Sequence, residues 1–259
     1  MYDFSCRMFW HRRIFNVRPT RRTKQQMKIL VIIPAYNESE NIENLINSIR
    51  EQCPDADYLV VNDCSKDNTE QILQRTDANY MNNPVNLGIG GTVQGGYVYA
   101  LKNGYDIAVQ VDGDGQHDIS YLQKMVGPIE RDEADIVIGS RFIERQGFQS
   151  SAGRRFGINF LSGLIKLCTG IMVRDVTSGF RAVNRKFIEI YANDYPQDYP
   201  EPEAIVAGVM YGGRIKEIPV KMKERVGGIS SINLWKSFYY MIKVSLAIII
   251  CRISFGIRR

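Results

Sequence analysis

No stretch of this 259-residue chain is apolar for long enough to cross a bilayer. The longest run, Val244–Cys251, is about eight residues, against the ~20 that a spanning helix needs. The N-terminal region also lacks the apolar core of a secretory signal. The five cysteines, Cys6, Cys53, Cys64, Cys168 and Cys251, are odd in number and never in CxxC spacing. That argues against a disulfide framework and a zinc site, and it fits reduced thiols in a cytoplasmic protein. Cys64 stands beside an important acid, but burial or packing explains it more simply than nucleophilic chemistry. There is no Ser/Gly-rich linker, internal repeat or low-complexity tract, so one domain of ordinary size is expected.

Basic charge is missing from the body of the chain as well. The net charge is +5, yet Arg7, Arg12, Arg13, Arg18, Arg21, Arg22 and Lys24 all precede residue 27 and face only Asp3. The remainder is close to neutral, so nucleic acid is not an expected partner. Residues 1–26 read as a basic, disordered extension, either a tail, a transit-like segment or an over-long start. The domain is placed at 27–231, with an apolar and basic helix at 232–259. Hydrophobic and charged fractions of 44% and 24% are those of a soluble globular protein.

Lys28–Ala35 is a continuous apolar run ending in Pro-Ala, the pattern of a strand buried on both faces. Helical spacing over Glu38–Arg50, a strand at Tyr58–Asn62, a helix at Asn68–Arg75 and a weak strand at Asn79–Asn82 follow. Thr92–Lys102 reads as a helix opened by glycines, Asp106–Val111 as a strand, Ser120–Arg131 as a helix and Asp135–Gly139 as a strand. Beyond these come a helix over Phe148–Leu167, a polar loop at Asp175–Arg181 and a strand at Arg214–Met222. Such alternation gives an α/β fold with an open sheet, helices on both faces, and ligands at the carboxyl ends of the strands.

Asp112 and Asp114 in Val-Gln-Val-Asp-Gly-Asp-Gly-Gln-His end one of those strands. Two carboxylates one residue apart repel unless a cation or a proton lies between them. A hard divalent metal with sites left for phosphate oxygens resolves the repulsion; an Asp-Gly turn is the plainer alternative. His117 is either a further ligand or a hydrogen-bonding residue. Asn86-Leu-Gly-Ile-Gly-Gly lacks the third glycine of a dinucleotide fingerprint and follows the third strand, so no nicotinamide cofactor is expected. Gly88 and its neighbours instead let backbone approach a ligand or start a helix tightly.

Val31-Ile-Ile-Pro-Ala-Tyr-Asn-Glu, Val61-Asn-Asp-Cys-Ser-Lys-Asp-Asn-Thr, Asn86-Leu-Gly-Ile-Gly-Gly and Asp112-Gly-Asp-Gly-Gln-His stand in an order that resembles the family 2 glycosyltransferases. Gly139-Ser-Arg-Phe, Asp175-Val-Thr-Ser-Gly-Phe-Arg, and Glu217-Ile-Pro-Val with Arg225-x-x-Gly-x-Ser extend the match over residues 28–231. Within that family the look is closest to dolichyl- and polyprenyl-phosphate sugar synthases and bacterial polysaccharide enzymes. The resemblance implies a GT-A type, Rossmann-like, mostly parallel sheet and inverting transfer from a nucleotide-diphosphate sugar to a lipid phosphate or glycan. It implies that Pro34, Ala35, Tyr36 and Glu38 line the nucleotide and that Asp63 reads the base. Asp112 would approach ribose or metal, and Asp114 would hold Mg2+ or Mn2+ on the diphosphate.

A departing nucleoside diphosphate gathers negative charge that a metal stabilises. Arg141 and Arg181 serve the same charge or an acceptor phosphate, or are surface ion pairs. Inversion on a hydroxyl needs a base. Glu203 matches the acid ahead of a helix, where the dipole keeps it ionised, although capping alone also explains it. With a lipid phosphate as acceptor no base is required.

Trp235–Arg259 mixes aromatics, aliphatics and flanking cations. It reads as an interfacial helix at the inner face of a membrane, as a docking segment for a membrane partner protein, or as a helix packed on the domain. Two other functions fit less well. A sugar-1-phosphate nucleotidyltransferase would open with a glycine-rich basic loop where this chain has Pro-Ala-Tyr-Asn-Glu. A non-catalytic protein of the same fold has no reason to keep Asp63, Asp112, Asp114 and Glu203.

Overall fold

The computed structural model describes residues 27–144, 152–223 and 234–257. The extension at 1–26, the start of the Phe148 segment and the Arg225-x-x-Gly-x-Ser motif lie outside the described residues. The chain runs β1 (Ile29–Ala35), α1 (Ile42–Gln52), β2 (Asp57–Asn62), α2 (Thr69–Arg75), β3 (Tyr80–Asn82), α3 (Gly88–Lys102) and β4 (Ile107–Gln110). Then come α4 (Leu122–Glu130), β5 (Ile136–Ser140), α5 (Ala152–Thr169), β6 (Arg181–Asn184), α6 (Arg185–Asn193), α7 (Pro200–Met210), β7 (Ile215–Pro219) and α8 (Leu234–Ile257).

The seven strands form one sheet in the order β3-β2-β1-β4-β6-β5-β7. β1 pairs in parallel with β2 and β4, β2 with β3, and β5 with β7. Successive side chains in a strand leave on opposite faces, and each face has its own core. Leu30 and Ile32 join Leu59, Val61, Ala108 and Ile138 under α3, α5, α6, α7 and α8. Ile29, Val31 and Ile33 join Val60, Val109 and Val137 under α1, α2 and α4. Each fully buried aliphatic side chain contributes about 1.5–3 kcal/mol. Gly96 lets α3 lie close on β1, because a side chain there would strike Ile32.

β6 and α6 lie where the sequence showed a loop followed by unassigned chain. β6 runs antiparallel to both β4 and β5, with Gln110 and Ile138 paired to Arg181. Four residues are too few to show a period, and the strand passes straight into a helix. Asn184 makes that transition: its side chain accepts from the Phe187 N–H at 3.2 Å, an N-cap. Phe187, Ile188, Tyr191 and Ala192 then form the buried side of α6. Helix α3 begins at Gly88, a full turn before the Thr92 expected from sequence. Helix α8 packs on α5 and α7, with Val244 and Ile248 buried. Among the described residues no helix is long and apolar enough to cross a membrane.

Candidate active site

The parallel strands β2, β1 and β4 all end on one edge of the sheet, so the loops that follow them meet. Those after β1 and β2 are stitched together. The Asn37 N–H donates to Ser65 Oγ at 3.0 Å, and the Lys66 N–H returns to Asn37 Oδ1 at 2.8 Å. Glu38 N–H donates to Thr69 Oγ1, and Ser39 N–H to Asp67. Burial opposes the charge on Asp67, but the hydrogen bonds from Thr69 and Ser39 outweigh it and hold the carboxyl below its ordinary range. Asn37 and Cys64 both adopt positive φ, +58° and +60°. Cys64 is exposed, which corrects the expectation of a buried thiol. Its left-handed backbone turns the chain outward there.

Between these loops and the β4 loop lies a cleft of about 400 Å³. Pro34, Ala35, Tyr36, Glu38, Asp63, Gly88, Asp112 and Asp114 all line it, joined by Asn86, Ile89, Thr92 and Gly113, which sequence reasoning missed. The missed residues carry no charge; the chain path after β3 brings in Asn86, Ile89 and Thr92, and Gly113 comes with the two acids that flank it. Asp63 organises that path. Its Oδ1 accepts from Asn83 Nδ2 and the Leu87 N–H, both at 2.8 Å, and its Oδ2 from the Gly88 N–H at 3.0 Å. A buried carboxylate thus anchors the Asn-Leu-Gly turn and the first residue of α3.

Asp112 is held from several sides. Its N–H donates to His117 Nδ1 at 3.0 Å, and its Oδ1 accepts from Gln110 Nε2 at 3.1 Å. A backbone N–H can only donate, so Nδ1 of His117 is the acceptor and the neutral ring carries its proton on Nε2. The ring is buried, stacked on Phe180 at 5.1 Å and 21°. His117 is therefore a hydrogen-bonding support for the acid loop, the plainer of its two sequence readings. Asp114 Oδ1 accepts from the Gln116 N–H at 3.1 Å, closing the turn that aims it at the cleft.

Arg141, Arg181 and Glu203 are not part of the cleft wall. Arg141 forks onto Asp175 with Nε and Nη2 at 2.7 Å each and also reaches Thr177. Burial works against its charge, but Asp175 and then Asp112 more than offset that and raise its pKa. Asp175 is fully buried, and its loop is held in turn by Glu217, which accepts from the N–H groups of Arg174 and Asp175. Arg181 is buried and donates to the carbonyls of Ser178, Glu201 and Val176 at 2.8, 2.6 and 3.2 Å. Neither arginine is a surface ion pair. Arg181 is a strut between the 175–180 loop and the start of α7.

The two acids of α7 face different surroundings. Burial raises the pKa of Glu203, and Asp194 and Asp198 add to the effect. Burial also raises Glu201, with Arg181 opposing and Asp112 reinforcing. Residues two apart on a helix diverge by about 200°, so Glu201 has Asp112 and Arg181 in its field, while Glu203 has the acids preceding α7.

The model of glycosyl transferase family 2 matches residues 30–191. The chain belongs to that family. Among its relatives is the polyprenol monophosphomannose synthase of Mycolicibacterium smegmatis, 29% identical over 228 residues, 84% of this chain and 83% of the relative. The UDP-N-acetylglucosamine–dolichyl-phosphate N-acetylglucosaminyltransferase of Methanococcus voltae is 32% identical over 213 residues, 74% of this chain and 84% of that one. The solved glucosyl-3-phosphoglycerate synthase of Mycobacterium tuberculosis, in complex with Mn2+, UDP-glucose and phosphoglyceric acid, shares the fold with a TM-score of 0.66. It is 20% identical, over 87% of this chain and 80% of its own.

The acid pair of this family member suits a divalent cation of the Mg2+ or Mn2+ kind. Among the described residues no group of three or more His, Cys, Asp or Glu side chains could hold a metal. A hard cation that keeps water and phosphate oxygens needs only one or two protein carboxylates, which is what Asp112 and Asp114 offer at the cleft.

Proposed function

We propose that the chain is a metal-dependent, inverting glycosyltransferase that moves a sugar from a nucleotide-diphosphate donor to a lipid phosphate of the polyprenyl type. The observation that carries this reading is the convergence of Asp112 and Asp114 with the Pro34–Glu38 loop and Asp63 in one cleft. Three relatives named for polyprenol, undecaprenyl phosphate or dolichyl phosphate match over 83%, 88% and 84% of their own length, which supports the lipid acceptor.

Pro34, Ala35, Tyr36 and Glu38 form one wall for the nucleoside. Asp63 Oδ2 accepts one N–H and keeps lone-pair capacity for a donor on the base. Asp112 lies toward ribose, and Asp114 holds the cation. When bound, that cation supplies charge neutralisation to the departing diphosphate. An acceptor phosphate is already anionic, so no carboxylate is needed to deprotonate it, and Glu203 serves the packing of α7 and α8. Arg141 and Arg181 position the 175–181 loop beside the acids. Residues 232–259 place the enzyme peripherally on the cytoplasmic face of the membrane where its acceptor resides.

A panel of nucleotide-sugars incubated with polyprenyl phosphate, with and without a metal chelator, tests the reading. Expected is metal-dependent transfer of one sugar to a chloroform-soluble product. Asp114→Asn should lower turnover by about 10²–10³-fold with an unchanged fold. Transfer that ignores both chelation and this substitution contradicts the assignment of the cation.

A further inference from the structure

Gln110 is the last residue of β4, in register with Ile32 on one side and Arg181 on the other. It is fully buried. It shares its face of the sheet with Ala108, two residues earlier, and with the paired Ile32, both members of the apolar core. A glutamine is an expensive choice for such a position. Its carboxamide leaves water for apolar surroundings, and only hydrogen bonds offset that loss.

Only half of the carboxamide is matched. Nε2 donates to Asp112 Oδ1 at 3.1 Å. A carboxylate can only accept, so this contact fixes which end of the amide faces Asp112 and which end is left over. The remaining atom, Oε1, is buried and accepts no hydrogen bond among the described residues. A methionine of similar length would fill the same space without stranding an acceptor. The packing of β4 therefore does not call for the amide; Asp112 does.

Asp112 has three supports, and each fixes a different part of it. His117 Nδ1 accepts its N–H and pins the main chain. Gly179 lies against the carboxylate and leaves room for it. His117 Nε2 stands 3.7 Å from Oδ2, too far for a hydrogen bond. Among the described residues the bond from Gln110 is therefore the one hydrogen bond that the carboxylate accepts. It ties Oδ1 to the core while Asp112 lines the cleft. We propose that Gln110 is a positioning residue, which locks the carboxylate of Asp112 in the rotation that meets the bound donor.

The proposal rests on the transfer reaction inferred above and adds to it a residue that touches no substrate. Fold stability is given up at Oε1, and a pre-set acid is gained at the cleft. Gln110→Met and Gln110→Leu, each in the full chain, test this with three measurements. Urea unfolding should show midpoints no lower than that of wild type. The orphaned acceptor is gone in both variants, and Asp112 reaches the cleft, so no charge is stranded in the core. Calorimetric titration of Mn2+ with UDP, and separately with GDP, should show binding weakened by about tenfold for the nucleotide that wild type takes. Donor KM should rise to the same extent while acceptor KM stays at the wild-type value.

A side chain that merely fills the core predicts the reverse: lower midpoints, with binding and donor KM intact. Lowered midpoints in both variants would overturn the proposal and leave the reaction standing. So would wild-type values for Mn2+–nucleotide affinity and donor KM. Wild-type protein that binds neither nucleotide in the presence of Mn2+ would contradict the reaction itself, and with it the role of Asp112 that Gln110 serves.

Discussion

The carboxylate of Asp112 rests against Gly179. A β-carbon on that glycine would lie 2.7 Å from Oδ1 and nearer still to Oδ2. The glycine of the Ser-Gly-Phe-Arg loop is thus the floor on which an acid of the candidate metal pair sits. Gly179→Ala should push the carboxylate aside and lower turnover by about 100-fold. The melting temperature should change by no more than about 3 °C. Steady-state kinetics and a thermal melt check both halves of this expectation, and wild-type turnover would show that the position of Asp112 is not critical.

His117 tests the same acid from the backbone side. His117→Phe keeps an aromatic ring for Phe180 to stack on but removes the acceptor of the Asp112 N–H. An unsatisfied N–H in that setting costs about 1–3 kcal/mol, measurable by urea denaturation. Donor KM should rise as the acid loop loosens. A variant with unchanged stability and unchanged KM would mean that the bond to Nδ1 carries no weight.

Arg141 and Asp175 form a buried pair, and removing one partner strands the other. Arg141→Met should destabilise the fold by about 3–5 kcal/mol. Adding Asp175→Asn should restore part of that loss, because the orphaned charge goes too. A double-mutant cycle by chemical denaturation reads the coupling. Additive losses would show that the pair is not an energetic unit.

Glu203 gives a pH signature. Its carboxyl is raised above the ordinary value of 4.5, mainly by burial and then by Asp194 and Asp198. A raised carboxyl holds its proton more firmly in the folded state, so its contribution weakens as pH climbs from 4.5 through the raised value. Glu203→Gln should therefore gain stability relative to wild type across that window and keep a constant advantage above it. Melts from about pH 4 to pH 8 test the sign. Turnover should stay within about threefold, and a large loss would restore Glu203 to the chemistry.

The legible part of this chain was the part where function and fold share a local pattern. Apolar runs at Lys28–Ala35 and Tyr58–Asn62 announced parallel strands, and the polar clusters right after them had to share an edge. That logic puts Asp63, Asp112 and Asp114 on one edge of the sheet, which is where the cleft they line is found. What could not be read were pairings between distant segments. Nothing near Arg141 in sequence points to Asp175, and the partners of Arg181 are carbonyls, which every residue has. Glu201 and Glu203 look equivalent in Pro-Glu-Pro-Glu until the phase of α7 is known.

β6 sets an order of assembly on the chain. The sheet partners of β5 are β6 and β7, both of which follow it in sequence. β1 through β4, by contrast, pair among themselves from segments already made. A growing polypeptide can therefore close the β1–β4 half of the sheet early, while β5 waits for residues 181–184 to bridge it to β4. The two acids leave the ribosome before the Gly179 floor that seats Asp112, so a chain stalled in synthesis between them would have the acids of the cleft without the geometry that seats them.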